Sequence, residues 1–375
     1  MKKIVIASDS FKGSVSSADV AQSAREGILR IFPECEVICL PIADGGEGML
    51  DVLIMATNGQ EVPISAHDPL MRWCNTYYGI SENGETAFIE MASISGLPLV
   101  PPERRNPMLT TTYGTGEIIR DALERGCRNF IIGIGGSATN DAGLGMLQAL
   151  GFRFSDKEGK KVGTGCGEVL IKVAHIDSTF VHPALNSCRF TVACDVQNPF
   201  YGPEGAAYVF APQKGADREM VEALDAGLQN FAEVIRHTTG KAISHHPGAG
   251  AAGGMGGSLL AFLNAELKPG IQLMLEALDF SNKIKSADLI ITGEGKADRQ
   301  TLMGKVPSGI LAEARKQNIP VILLAGNIED SDELQQAGFE GVFSVNPPFI
   351  SLEEAMRPEV ARKNIQQTVE SICKK

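Results

Sequence analysis

A short apolar run, then a stretch interleaving glycine with polar or acidic residues, then a helix-patterned segment: this order recurs along the whole chain. The apolar runs cover 3–7, 35–42, 129–135, 287–292 and 320–325, with a further one at 341–345. After the first, Ser16 and Asp19 read as an N-cap and its acidic partner. Val20, Ala24, Ile28 and Ile31 then recur at helical spacing until Pro33 stops the helix. Further helices are expected over 49–56, 144–150, 308–317 and 359–373. Short strands apolar on both faces, joined by helical crossovers, imply an α/β fold with a doubly wound parallel sheet.

Two stretches depart from this order. Residues 61–92 have hairpin character, with Ser81-Glu82-Asn83-Gly84 between β-rich runs. Residues 152–260 mix a strand at 189–194, a helix at 219–238 and long loops. The expected division is one discontinuous domain over 1–58, 105–151 and 285–375, and a second, inserted α/β domain over 59–104 and 152–284.

Composition excludes several classes. The net charge of −11 leaves no basic stripe for nucleic acid, so an anionic substrate needs a few local cations, a metal and backbone N–H groups. The 41 glycines are clustered rather than periodic, which excludes collagen-like sequence. None of the eight cysteines forms a Cys-x-x-Cys pair, so reduced structural thiols of a cytoplasmic protein are expected. The N-terminal apolar run is too short for a signal peptide, and no apolar stretch approaches the roughly 18 residues of a membrane span. The six histidines lack metal-ligand spacing, and no Gly-x-Ser-x-Gly elbow points to a serine hydrolase.

The glycine-rich polar segments follow strands whose C-terminal ends share one sheet edge, where ligands of doubly wound sheets bind. They carry Asp9 with Ser10 and Lys12, Asp44 with Glu47, Asn140 with Asp141, and Glu294 with Lys296 and Asp298. Phosphoryl transfer needs such a set: carboxylates for Mg²⁺, cations or N–H groups for phosphates, and a carboxylate by the attacking hydroxyl.

Single segments stay ambiguous. Gly133-Ile-Gly135-Gly136-Ser137-Ala138 fits the dinucleotide pattern G-x-G-x-x-A, yet Asp156, near the expected acidic position, lies in a charged run rather than at a strand end. A tight turn needing small residues also explains it; an anion site at a helix N-terminus fits best. The segment His246–Ser258 cannot be a Walker A loop and loosely resembles the phosphate loop of the galactokinase and homoserine kinase group. Close helix packing is the alternative for its glycines, Gly253 and Gly254 among them. Asp195 follows an apolar run and fits either an Asx turn or a functional carboxylate. Lys214 is either a solvated lysine or a phosphate ligand, and Thr115-Gly116-Glu117 reads as a helix cap.

Together these segments resemble the bacterial glycerate kinases of the type-1 group, across essentially the whole chain. The matching stretches are Asp9-Ser-Phe-Lys-Gly-Ser14, Ala43-Asp-Gly-Gly-Glu-Gly48, Gly133-Ile-Gly-Gly-Ser-Ala-Thr-Asn-Asp141, Cys194-Asp-Val-Gln-Asn-Pro199, Ala211-Pro-Gln-Lys-Gly215, 248–256 and Thr292-Gly-Glu-Gly-Lys-Ala-Asp298. The resemblance implies ATP- and Mg²⁺-dependent phosphorylation of D-glycerate, to 2-phosphoglycerate in the most similar branch. It also implies a flavodoxin-like domain and a restriction-endonuclease-like domain with a mixed sheet, and an active site in the cleft between them. Two positions depart from the family pattern. Ser8 stands where Pro is usual, which is expected to loosen the backbone entering Asp9. Lys296 stands where Arg is usual, which replaces a fork by a point charge.

The expected catalytic residues are Asp195 as the carboxylate that orients or deprotonates the hydroxyl, Asp298 as its competitor, and Lys12. Asp9, Ser10, Gly135, Gly136, Ser137, Asn140, Asp141, Lys214, Gly253, Gly254 and Lys296 are expected to bind substrate or phosphate. Asp44, Glu47 and Glu294 are the expected metal ligands. Motif spacing does not resolve the C2 from the C3 hydroxyl, so a 3-kinase remains the alternative. A NAD-linked oxidoreductase and a non-catalytic anion-binding protein are the remoter ones. The expected partners are small molecules, with no nucleic acid and no membrane; a homodimer is compatible with the sequence.

Overall fold

The computed structural model describes residues 1–43 and 48–374. In chain order the strands are β1 (Lys3–Ser8), β2 (Glu36–Pro41), β3 (Gln60–His67), β4 (Trp73–Ile80), β5 (Thr86–Glu90), β6 (Asn129–Gly133), β7 (Arg153–Ser155), β8 (His175–Asp177), β9 (Arg189–Ala193), β10 (Glu266–Lys268), β11 (Leu289–Ala297), β12 (Val321–Ile328) and β13 (Gly341–Ser344). The chain divides into two compact units: Met1–Asp44 with Ile271–Lys375, and Gly45–Gly270.

The first unit is built on a five-stranded sheet in the order β13-β12-β11-β1-β2, with every pair parallel. The chain starts in the interior at β1, steps outward to β2, then returns to β11 on the other side of β1. This is the flavodoxin-like order, with its switch point between β1 and β11. Ile4, Ile6, Leu289 and Ile291 pack under helices Ser17–Ile31 and Pro358–Cys373. Helix Val306–Arg315 meets β1, β11 and β12 separately. Both faces are thus covered, which is why these strands read as apolar runs without alternation.

The second unit holds a six-stranded mixed sheet in the order β10-β9-β6-β5-β4-β3. The first four strands are parallel, and β4 and β3 add as an antiparallel hairpin. The turn at 81–85 between β4 and β5 is the one expected from Ser-Glu-Asn-Gly. β7 and β8 form a separate antiparallel pair.

The expected division of the chain differs from this one. β6, with helix Tyr113–Glu124, was expected in the first domain but lies between β5 and β9 in the second unit, and Phe130 stacks on Phe190 of β9 with ring centroids 4.6 Å apart. Helix Met49–Ala56 also belongs there, since Leu50 donates its N–H to Glu90 at the end of β5 (2.7 Å). Conversely, Ile271 packs on Gly309 of the first unit. An apolar run records that a strand is buried on both faces. It does not record which strands flank it.

Candidate functional site

At the switch point of the first unit, the segment after β1 is stitched onto β11. The Asp9 N–H donates to Gly293 O (3.0 Å), and Ser8 Oγ donates to the same carbonyl (3.0 Å) and to Asp9 O (2.9 Å). Ser8 is 1% exposed. It therefore ties the entry to Asp9 down, where the sequence suggested loosening. Asp9 accepts the Ser10 N–H (2.7 Å), and Lys12 is exposed on the following turn. A Cβ at Gly295 would lie 3.2 Å from Lys12 N, so this turn runs directly against β11.

The acidic segment of β11 is not a loop. The strand continues to Ala297, pairing Glu294 with Ala325 and Lys296 with Asn327. Glu294 is 6% exposed; one carboxylate oxygen accepts from Thr301 Oγ1 (2.5 Å) and the other from Lys305 Nζ (3.3 Å). Burial pushes its pKa above the usual range, against the lowering effect of those two partners. Thr301 and Lys305 were not foreseen; a lysine after Gly304 at a helix start gave no signal. Lys296 is half-exposed and lies 3.0 Å from Glu329 and 3.5 Å from Asp298, so its charge is already matched. Asp298 accepts the Gln300 N–H (2.8 Å); that bond, with Lys305 and Lys296 nearby, holds its carboxyl below the usual range despite desolvation. Asp44 and Glu47 lie outside the described residues. Among the described residues, no three His, Cys, Asp or Glu side chains converge as a metal site.

In the second unit the parallel strands again present their C-terminal ends along one edge. The segment after β5 is laced to the segment after β6: Leu97 N–H donates to Gly136 O (2.9 Å) and Ala138 N–H to Ser95 O (2.9 Å). Gly135 and Gly136 remain exposed, and Ser137 retains 9% of its surface. Gly136 has φ +71°, a turn that glycine accommodates.

The expected anion site at the following helix is not there. Helix Leu144–Ala149 has only six residues, and its amino end is closed from within. Asp141, fully buried, accepts from Thr112 N–H (2.8 Å), Thr112 Oγ1 (2.8 Å), Gly143 N–H (3.1 Å) and Gly145 N–H (3.2 Å). Thr112 Oγ1 in turn accepts the Met146 N–H (2.9 Å). Asp141 is an internal acceptor; burial pushes its pKa up while these bonds oppose the shift. The same closure removes the pyrophosphate position of a dinucleotide fingerprint. Thr112 is a third residue that was not foreseen, although the run Thr110-Thr111-Thr112 before a helix is a visible signal.

Lys214 is neither solvated nor placed on an open surface. It is 2% exposed, and its Nζ donates to Ser137 Oγ (2.8 Å) and Thr139 O (2.6 Å). Desolvation pulls its pKa down to about 7, against the field of Asp141. Beside it, the Thr139 hydroxyl and both amide atoms of Asn140 are buried without a partner. Gly253 packs onto this segment with φ +66°, and a Cβ there would meet Thr139 O at 2.2 Å. Gly254 packs against Leu228 and Phe200. Gly250, Gly253 and Gly256 thus sit where a Cβ would strike backbone, whereas Gly254 and Gly257 pack against side chains. Asp195, exposed at the end of β9, accepts the Gly270 N–H (2.8 Å). Thr115-Gly116-Glu117 lies inside helix Tyr113–Glu124 rather than at its cap, and Glu117 pairs with His67 (3.0 Å).

The depressed pKa of Lys214 has a consequence for stability. Between pH 7 and the ordinary lysine value near 10.5, the folded state binds fewer protons than the unfolded one, so this group's penalty shrinks as pH rises. Lys214→Met removes that dependence. The melting-temperature difference, variant minus native chain, is expected to fall between pH 7 and 9.5, measured by calorimetry.

Sheets whose parallel strands carry carboxylates, lysines and an exposed glycine turn at their C-terminal ends define an α/β enzyme for anionic substrates. The glycerate kinase family model matches residues 4–375. Glycerate 2-kinase of Escherichia coli K12 is 48% identical over 95% of this chain and 93% of its own. A glycerate kinase of Haemophilus influenzae is 45% identical over 99% and 98%. A crystal structure of a protein assigned as glycerate kinase 2 from Salmonella typhimurium LT2 superposes with TM-score 0.91 at 44% identity, covering 100% of this chain and 97% of that one. The chain belongs to the glycerate kinase family.

Proposed function

We infer that this chain transfers the γ-phosphoryl group of ATP to the C2 hydroxyl of D-glycerate, giving 2-phosphoglycerate. The observation that carries this reading is the end-to-end match to the family, with a glycerate 2-kinase among the relatives of nearly half-identical sequence. Purified protein with D-glycerate, ATP and Mg²⁺ is expected to release ADP and to give a ³¹P signal of the 2-phosphomonoester. No ADP release, or the 3-phosphomonoester alone, overturns it.

Each unit carries its own candidate groups. In the first, Asp9, Ser10 and Lys12 meet a substrate at the β1–β11 switch point, Lys12 as a point charge. In the second, the Gly135–Ser137 turn, exposed at its two glycines, holds an anionic group through N–H and hydroxyl donors. Asp195 orients the attacking hydroxyl and accepts its proton; Asp298 is the competitor, with its carboxyl held below the usual range. Mg²⁺ asks for only one or two protein carboxylates when phosphates supply other ligands, and Asp298 fits that role better than Glu294, whose oxygens face Thr301 and Lys305. When bound it neutralises charge on the phosphates. No helix among the described residues is long and apolar enough to cross a membrane, and we place the protein in the cytoplasm.

Glu294 organises rather than reacts. Glu294→Ala strands Lys305 and Thr301, and is expected to cost about 3 kcal/mol, read as an earlier denaturant midpoint. Glu294→Gln, which keeps an acceptor for Thr301, is expected to cost less.

A further inference from the structure

We propose that Lys214 is a positioning residue for the Gly135–Ser137 turn: by donating to Ser137 Oγ it turns the Ser137 hydroxyl proton toward the anionic group, carboxylate or phosphate, that the turn holds. The inference rests on the reading of that turn as anion-holding.

The geometry excludes a direct role. Lys214 is 2% exposed, and its ammonium is engaged by Ser137 Oγ at 2.8 Å and Thr139 O at 2.6 Å. To touch a ligand at the surface it would have to leave both. An ammonium has donors only, so in this bond the Ser137 oxygen accepts. The hydroxyl proton then cannot point at Nζ and is left for another acceptor. Ser137 keeps some accessible surface, and its neighbours Gly135 and Gly136 are exposed. A hydroxyl that accepts from a cation is also a stronger donor, because bonds in a chain polarise one another. Part of the lysine's charge thus reaches the ligand through Ser137 without the lysine being exposed.

The second bond, to Thr139 O, fixes the chain two residues on. That segment carries buried groups without partners in Thr139 and Asn140, so its conformation needs holding from outside. Lys214 is itself anchored. Gly215 follows it at φ +96°, against the Arg105 carbonyl, where a Cβ would come within 2.3 Å. One charged group bears on it, Asp141 from the same post-β6 segment, while Arg105 packs its backbone against Gly215.

A neutral amine behaves differently, since it can accept as well as donate. Once Lys214 loses its proton, the Ser137 hydroxyl can turn inward. The pKa of about 7 puts that change in a range where the enzyme can be assayed.

The test measures KM for D-glycerate and for ATP, and kcat, in the full chain with Ser137→Ala, Lys214→Met and both together. Each single change is expected to raise KM for one and the same substrate by ~10-fold or more. The double variant is expected to be no worse than the poorer single one. The substrate affected tells carboxylate from phosphate. Should the two effects multiply, Lys214 acts independently of Ser137 and the inference is overturned while the anion-holding turn stands. Should Ser137→Ala leave both KM values unchanged, the turn holds no anion and both readings fall. If Lys214→Met does not fold, the pH dependence of the native chain decides. KM is expected to rise through about pH 7 relative to Ser137→Ala, and parallel profiles overturn the proposal.

Discussion

Asp195→Asn is expected to lower kcat by at least ~100-fold while leaving the melting temperature unchanged. The substitution replaces a carboxylate by an amide of the same shape. Asn keeps an oxygen that can accept the Gly270 N–H, the structural bond seen for Asp195. What it loses is the capacity to take a proton from an attacking hydroxyl. KM for both substrates is expected to move by less than about threefold, because a proton acceptor acts in the transition state rather than in ground-state binding. Asp298→Asn is the control. Its carboxyl sits below the usual range, held there first by the Gln300 N–H, which disfavours its taking up a proton. Its loss is expected to show as a higher Mg²⁺ concentration for half-maximal activity more than as a fall in kcat at saturating metal. An Asp195→Asn enzyme with more than a tenth of native turnover would remove Asp195 from the chemical step. A fall in melting temperature together with activity would make it structural.

The contrast between these two aspartates marks how far the sequence could be read. Both stand just after apolar runs, among small residues, and both read as functional carboxylates. Only the structure separates an exposed acceptor at the end of β9 from one held at the start of a 3-10 helix. Local elements were legible: helix Met49–Ala56 and strand β1 follow from apolar spacing, and helix Ser17–Ile31 from Ser16 with Asp19. Pairing was not. β6 and β1 have the same two-sided apolar pattern, yet they belong to different sheets. The extent of β11 was also hidden, because Gly293-Glu294-Gly295 looks like a turn and is in fact paired strand. Within the second unit, the glycines of 248–257 and the acid Asp141 suggested ligand contacts. They turned out to serve close packing and internal capping, since a buried carboxylate that accepts from N–H groups leaves the same letter in the sequence as one that faces a ligand.

That internal role predicts the largest loss of stability in the molecule. Asp141 accepts four hydrogen bonds at 2.8–3.2 Å with none of its surface exposed. In Asp141→Ala the N–H groups of Thr112, Gly143 and Gly145 lose their acceptor in a fully buried site. Stranding a buried donor costs about 1–3 kcal/mol each, and the buried Lys214 loses its opposing charge as well. The sum is at least ~4 kcal/mol, enough to lower the melting temperature by roughly 10 °C or to prevent accumulation of folded chain. Asp141→Asn discriminates between causes. It keeps one acceptor oxygen but points an NH₂ group at backbone donors, so an intermediate loss of about 2 kcal/mol is expected. If Asp141 instead faced a ligand, both variants would melt near the native temperature and lose substrate affinity. A melting curve on the same preparation as the KM measurement therefore separates capping from binding. Capping further requires that kcat per folded molecule in Asp141→Asn stay within about threefold of native, whereas KM for the substrate held by the Gly135–Ser137 turn is expected to rise, because losing the Asp141 charge favours neutral Lys214.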